Sequence, residues 1–175
     1  MPTLTLRDIA SSIDGEVKGN IDLTIRLLSE VHKCNSDQIC FIKDESFISK
    51  LSEDAGAVIL SPEIAKKVKL ENQIIVDDPY LGYARASKLF FNLYQSYEKA
   101  EPEIGENFIR GENVSIGHNC KIGKNVKIHD NVSIYPNTRI GDNVEIHSGS
   151  VIGSDGFGFA KDKNLDKWIK IYQLG

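Results

Sequence analysis

The sequence has no paired cysteines. Its three, Cys34, Cys40 and Cys120, are odd in number and form no CxxC unit, whereas disulfide frameworks and structural zinc sites use dense, paired spacing. Three reduced thiols in the cytoplasm are expected. There is no basic run, and the net charge is −4, which removes the phosphate-neutralising surface on which non-specific nucleic-acid binding rests. No apolar stretch approaches the ~18 residues a membrane helix needs. The opening MPTLTLRDIASSIDGEV lacks the apolar centre of a signal peptide and carries charges early. No P-loop or GxGxxG occurs, and SDGFG does not fit the dinucleotide pattern. What remains is a globular composition: 41% hydrophobic against 26% charged residues is enough apolar material for a core and excludes a disordered chain. The length, 175 residues, suits one ordinary domain or two small ones.

Residues 1–100 read as an α/β unit. LTLRDIASSI (4–13) begins as a short alternating piece and turns helical before Asp14-Gly15. QICFI (38–42) is a short apolar strand, and ESFISKLSED (45–54) has Phe47, Ile48 and Leu51 at helical spacing. AGAVIL (55–60) is a continuous apolar run, the pattern of a strand covered on both faces. Pro62 opens a short helix. NQIIVDD (72–78) is a further strand, and PYLGYARASKLFFNLY (79–94) a long helix, again opened by proline. Strands alternating with helices predict a small, partly parallel sheet.

Beyond Ala100-Glu101-Pro102 the period changes to six. Isoleucine recurs at Ile104, Ile116, Ile122, Ile128, Ile134, Ile140, Ile146 and Ile152. Asparagine recurs in phase at Asn107, Asn113, Asn119, Asn125, Asn131, Asn137 and Asn143. Glycine follows the isoleucine at Gly105, Gly117, Gly123, Gly141 and Gly153, and a small or β-branched residue precedes it by two at Val114, Cys120, Val126, Val132 and Val144. No helix repeats every six residues, and a plain strand repeats every two. A parallel β-helix does both jobs: each hexad is a short strand and a corner, and three hexads close a three-sided coil. The isoleucine points inward and stacks on its counterparts, while Gly and Asn accept the positive φ of the corner. Each coil buries its core only against the next.

Two places break the repeat. Arg110 stands where an isoleucine is due, with Ile109 beside it, and a slipped first coil is expected there. VIGSDGFGFA (151–160) packs three glycines into ten residues, so residues 154–167 are expected to leave the coil as a loop, with Trp168-Ile169-Lys170-Ile171 beginning the next coil in 168–175. Solenoids cover their ends with a cap, a helix or a subunit contact, and Leu174-Gly175 supplies none. The expectation is a fragment or a short form whose coil is incomplete at the C-terminus.

These residues together resemble the UDP-3-O-acylglucosamine N-acyltransferase family of lipid A biosynthesis. The resemblance rests on the hexads, VIGSDGFGFA, a Trp and KIYQLG, with QICFI, AGAVIL and IIVDDPYLGYARASKLF in that order before them. It implies an α/β uridine-binding domain (1–100) followed by a left-handed β-helix (101–175, hexads about 104–153), and a cytoplasmic homotrimer. It also implies transfer of a 3-hydroxyacyl chain from acyl carrier protein to the 2-amino group of UDP-3-O-acyl-glucosamine. No metal or organic cofactor is implied. Two aromatics that sandwich uracil in the family fall on Phe41 and Phe47, the second usually tyrosine there. Between them Asp44 replaces the usual asparagine, and its ionised carboxylate offers no donor to an anionic nucleotide.

The family's general base, a histidine, lies several coils beyond the GFGFA loop, so no catalytic residue is expected within 1–175. His118 in SIGHNCKIG has the local look of that base but precedes the loop, and is read as a corner residue. His129 and His147 both follow a hexad isoleucine, 18 residues apart, and should stack one coil above the other. A solvated ladder or a trimer-interface pair is favoured for them over a shared metal. His32 has no partner in sequence. About eight hexads precede the loop, fewer than expected for the family, which alters the spacing between the uracil pocket and any reaction centre. The expectation is therefore an N-acyltransferase lacking its base. The alternative is a non-catalytic trimeric scaffold that binds UDP-sugar, and a weaker one is a hexapeptide acyltransferase using a small acyl-CoA.

Overall fold

The computed structural model describes residues 3–95 and 99–173; Leu174 and Gly175 lie outside them, as do residues 96–98 just before the 100/101 boundary. The chain forms two compact units, one of Met1–Ser96 with Phe157–Tyr172 and one of Tyr97–Gly156 with Gln173–Gly175.

The first unit is built on a five-stranded sheet. Its order is Glu16–Lys18, Gln73–Ile75, Ala57–Leu60, Gln38–Phe41, Leu27–Leu28. The last four strands run parallel, and Glu16–Lys18 is antiparallel to its neighbour. Ala57–Leu60 is buried throughout, as its unbroken apolar run predicts. Strand alternation sorts its side chains: Val58 and Leu60 join Cys40, Ile42 and Ile64 in one cluster, while Ile59 faces Gly82 of the long helix Pro79–Gln95. A Cβ at Gly82 would stand 3.4 Å from Ile59 Cγ2 and 3.3 Å from Val76 Cγ2, so glycine lets that helix lie close on the sheet. Asp78 starts the helix, its Oδ1 accepting from the Tyr80 and Leu81 amides, each at 3.0 Å.

Five elements differ from expectation. The segment after Asp44 is a single 3-10 helix, Glu45–Lys50, and ends before the Asp54 expected from helical spacing. Short strands Glu16–Lys18, Thr24–Ile25 and Leu27–Leu28 extend the sheets where the sequence carries little alternation. Trp168-Ile169-Lys170-Ile171 is expected to open the next coil, but the strand there, Lys167–Lys170, pairs antiparallel with Phe159–Asp162. That hairpin packs on the long helix of the first unit. Its anchor is Asp162, whose side chain is 1% exposed and bonds the Arg85 guanidinium at 2.7 Å. Ser87 Oγ also accepts from the Tyr172 amide at 2.9 Å, and Tyr172 packs on Phe91 at 4.5 Å.

The second unit is a left-handed parallel β-helix. Two-residue strands stack at 18-residue spacing into three parallel sheets, one per face. Ile122, Ile128, Ile134 and Ile146 are buried with Val114, Cys120, Val126 and Val132. The seven in-phase asparagines all have φ between 54° and 63°, the left-handed corner the hexad requires. Their amides stack as well: Asn107 donates to Asn125 at 2.9 Å, and Asn125 to Asn143 at 3.0 Å. The first coil does not slip. Arg110 pairs in register with Ile128, and its guanidinium donates to the Val114 carbonyl, so the long side chain finds a polar partner where an isoleucine would have turned in.

Candidate functional site

Phe41 ends the strand Gln38–Phe41, beside the helix that follows Asp78. Its ring lies 4.4 Å from that of Tyr83 and 5.8 Å from that of Tyr80. The two tyrosines are three residues apart in the first turns of the helix and so share a face. Burial pushes the Tyr83 phenol up from its ordinary value. Phe41 is partly buried, and Phe47, on the 3-10 helix, is 37% exposed. No ring contact joins Phe41 and Phe47 among the described residues; each has its own neighbours. Two cations lie over rings of this region: Lys43 Nζ is 5.6 Å from the Tyr80 centroid and Lys50 Nζ 4.9 Å from the Phe47 centroid.

Asp44 caps the 3-10 helix. Its Oδ1 accepts from the Ser46 amide at 3.0 Å and from the Ser46 hydroxyl. Those bonds, with Lys43 and Lys50 nearby, hold the carboxyl below its usual range. The charge is thus engaged by local donors and balanced by two lysines. Asparagine and aspartate cap with similar strength, so Asp44 starts the helix that carries Phe47 as an asparagine would. Tyr80 and Tyr83 escape a reading by sequence, although a tyrosine pair spaced by three directly after a strand is a usable signal.

His118 sits at a coil corner between Ser115–Ile116 and Lys121–Ile122. It is half-buried, and its Nδ1 is buried with no hydrogen-bond partner. His32 lies on the surface, 3.4 Å from Glu30. His129 and His147 do stack, with ring centroids 4.9 Å apart and planes 11° off parallel. Glu145 joins them, its Oε1 2.7 Å from His129 Nε2. Cys34, Cys40 and Cys120 are buried and free, and no helix among the described residues is long and apolar enough to cross a membrane.

Comparison with known proteins bears on both units. Residues 22–89 match the family described as UDP-3-O-(3-hydroxymyristoyl) glucosamine N-acyltransferase, and residues 119–154 match the bacterial transferase hexapeptide of six repeats. A UDP-3-O-acylglucosamine N-acyltransferase of Marinomonas sp. (strain MWYL1) is 42% identical over 98% of this chain and 57% of its own length. Proteins of the same name from Dechloromonas aromatica (strain RCB) and Shewanella oneidensis are 44% and 38% identical, over 98% and 100% of this chain. Residues 22–89 thus carry a domain of that N-acyltransferase family, and nearly the whole chain is similar to proteins of that name. It spans somewhat more than half the length of the curated relatives it matches, 56–58%. The first matched stretch contains Phe41, Asp44, Phe47, Tyr80 and Tyr83, and the second contains His129, Glu145 and His147.

Proposed function

We propose that these residues hold the UDP end of a UDP-3-O-acyl-glucosamine for an N-acyltransferase of lipid A biosynthesis, with Phe41 and Phe47 as the walls of a uracil slot. The observation that supports the reading is a group of aromatic rings with cations over them: Phe41 packs on Tyr80 and Tyr83, Lys43 lies over Tyr80, and Lys50 lies over Phe47, with Asp44 between Phe41 and Phe47 in sequence. Aromatic faces take a base by stacking, and ammonium groups beside the slot suit a diphosphate. Tyr80 and Tyr83 brace Phe41 from behind, and the Asp44 cap orients Phe47. The acyl donor in this reading is a 3-hydroxyacyl thioester of acyl carrier protein, and the acceptor is the 2-amino group of the glucosamine. A homotrimer in the cytoplasm and the absence of any organic cofactor belong to the same proposal.

The amine must lose a proton as it attacks the thioester, and a general base at that step is worth ~10²–10⁴ in rate. His118 is poorly equipped for it, because no carboxylate or carbonyl orients its ring, as the unpartnered Nδ1 indicates. Residues 1–175 by themselves are therefore assigned binding with little turnover.

The test is calorimetric titration of UDP into the wild-type chain and Phe47→Ala. Stacking is worth ~1–3 kcal/mol, so affinity should fall about 5- to 150-fold. Melting should change little, since Phe47 is an exposed ring on a short helix. Unchanged UDP affinity, or no binding by the wild type, removes the uracil slot and leaves the coil as a scaffold.

A further inference from the structure

The outer face of the β-helix brings three metal-ligating side chains together. In strand Glu145–Ile146 the isoleucine turns inward, so its neighbours Glu145 and His147 both turn outward, two residues apart. The ladder pairs Lys127 with Glu145 and Ile128 with Ile146, and the His129 amide donates to the Ile146 carbonyl at 2.9 Å. His129 is thereby placed one coil below His147. The result is a triangle: two parallel imidazoles 4.9 Å apart, and a carboxylate oxygen 2.7 Å from the lower one. One ligand atom from each of His129, Glu145 and His147 lies within 4.8 Å of the others.

We propose that His129, Glu145 and His147 form a binding site for one divalent first-row transition ion, of which Zn2+ is the probe. Two imidazoles and one carboxylate are a donor set that suits zinc and its neighbours, whereas calcium and magnesium require oxygen donors throughout. Metal–ligand bonds of ~2.0–2.2 Å put tetrahedral donors roughly 3.4 Å apart. The observed triangle reaches that by small rotations about side-chain bonds, because Glu145 and His147 are exposed and His129 is half-buried. The backbone that holds them is a stacked coil, so the donors are gathered before the ion arrives. Three protein ligands leave a position for water.

The surroundings permit the exchange. In the coil below, the position under His129 is Gly111, whose amide bonds the Ile128 carbonyl at 2.8 Å, so no side chain covers the lower imidazole from that column. Asp130 is engaged elsewhere, its Oδ1 accepting from the Glu112 amide at 2.8 Å. Lys127 is the competitor, with Nζ 3.0 Å from the same Glu145 oxygen. Exposed ion pairs of this kind contribute little to stability, and a flexible lysine can swing into solvent when the ion takes its place. Sequence spacing alone suggests the histidine pair; the third donor appears only when the coil register sets Glu145 diagonally across from His129.

The test is calorimetry of the 175-residue chain with Zn2+ at neutral pH, beside absorption spectra with Co2+. One ion per chain and visible Co2+ d–d bands are expected. His147→Ala should weaken zinc binding by about tenfold or more through loss of an inner ligand, and Lys127→Gln should strengthen it. Melting curves of the variants check their fold, and the wild-type Co2+ spectrum is independent of any variant. No stoichiometric zinc binding by the wild type, or equal binding by a folded His129→Ala/His147→Ala double variant, overturns the site.

Discussion

Arg85 and Asp162 meet at 2.7 Å although 77 residues separate them in the chain. The carboxylate is almost fully enclosed. It also accepts from the Asn164 and Leu165 amides at 3.0 and 3.1 Å, which closes the hairpin turn. The other guanidinium nitrogen bonds Asp14 at 2.6 Å. One arginine therefore ties the hairpin to the N-terminal part of the same unit. Replacing it leaves Asp162 enclosed without its counter-charge, the costly case for an ion pair. Arg85→Ala should release the amides of 159–170 to rapid hydrogen exchange while those of Ala57–Leu60 stay protected. Uniform loss of protection across both segments would mean that the hairpin is not a separable part.

The same pair predicts an acid transition. Arg85, first, and the two turn amides hold the Asp162 carboxyl below its ordinary value. A depressed carboxylate stabilises the folded state above its unfolded pKa, near ~3.9, and that contribution is lost as pH falls through the lower folded value. Hairpin exchange rates should therefore rise below about pH 4. Asp162→Asn should weaken docking at neutral pH and flatten the acid dependence; an unchanged acid profile in that variant would assign the transition to another group.

In the coil, Ile128→Ala removes a buried side chain with neighbours above and below. Substitutions of this kind cost ~2–5 kcal/mol, to be read from urea unfolding. The end position Ile104 is 48% exposed, and alanine there should cost far less. Equal costs would contradict a core built by stacking.

Corner asparagines separate backbone from ladder. Asn125 has φ 55° and bonds both Asn107 and Asn143. Asn125→Gly keeps the corner and loses the ladder, whereas Asn125→Ala also places a Cβ in the left-handed region, at an added ~1–2 kcal/mol. Thermal melting should rank wild type above Gly and Gly above Ala. Ala equal to Gly would show that the corner does not demand this conformation.

Phe41→Ala should lower both UDP affinity and stability, because its ring packs on Tyr80 and Tyr83. Phe47→Ala should lower affinity with little effect on melting. Parallel calorimetry and melting curves of the two variants distinguish a wall that is also core from one that serves the ligand; loss of stability in both, without loss of affinity, assigns both to packing.

The hexad period alone determined the coil, its three faces and its register, because a solenoid buries each turn against its neighbours and one local rule repeats along the chain; Arg110, which reads as a slip, keeps that register only because the strand pairing with Ile128 holds it. The unbroken run of Ala57–Leu60 likewise determined the centre of the sheet. Relations between distant residues were decided by tertiary structure. SDGFGFA is legible as a departure from the coil, but its return as a hairpin depends on Arg85, which lies in a helix with no local sign of that partner. Trp168 to Ile171 read as a strand in sequence, but only the closed fold decided that its neighbour would be Phe159–Asp162 and not another coil. The residues of the proposed nucleotide site were named from the segment 41–47, but the Phe41 contacts with Tyr80 and Tyr83 and the cap made by Asp44 arise from packing and local hydrogen bonds. Periodicity carries contacts that repeat; a single contact across the fold has no period and is decided only when the chain has closed on itself.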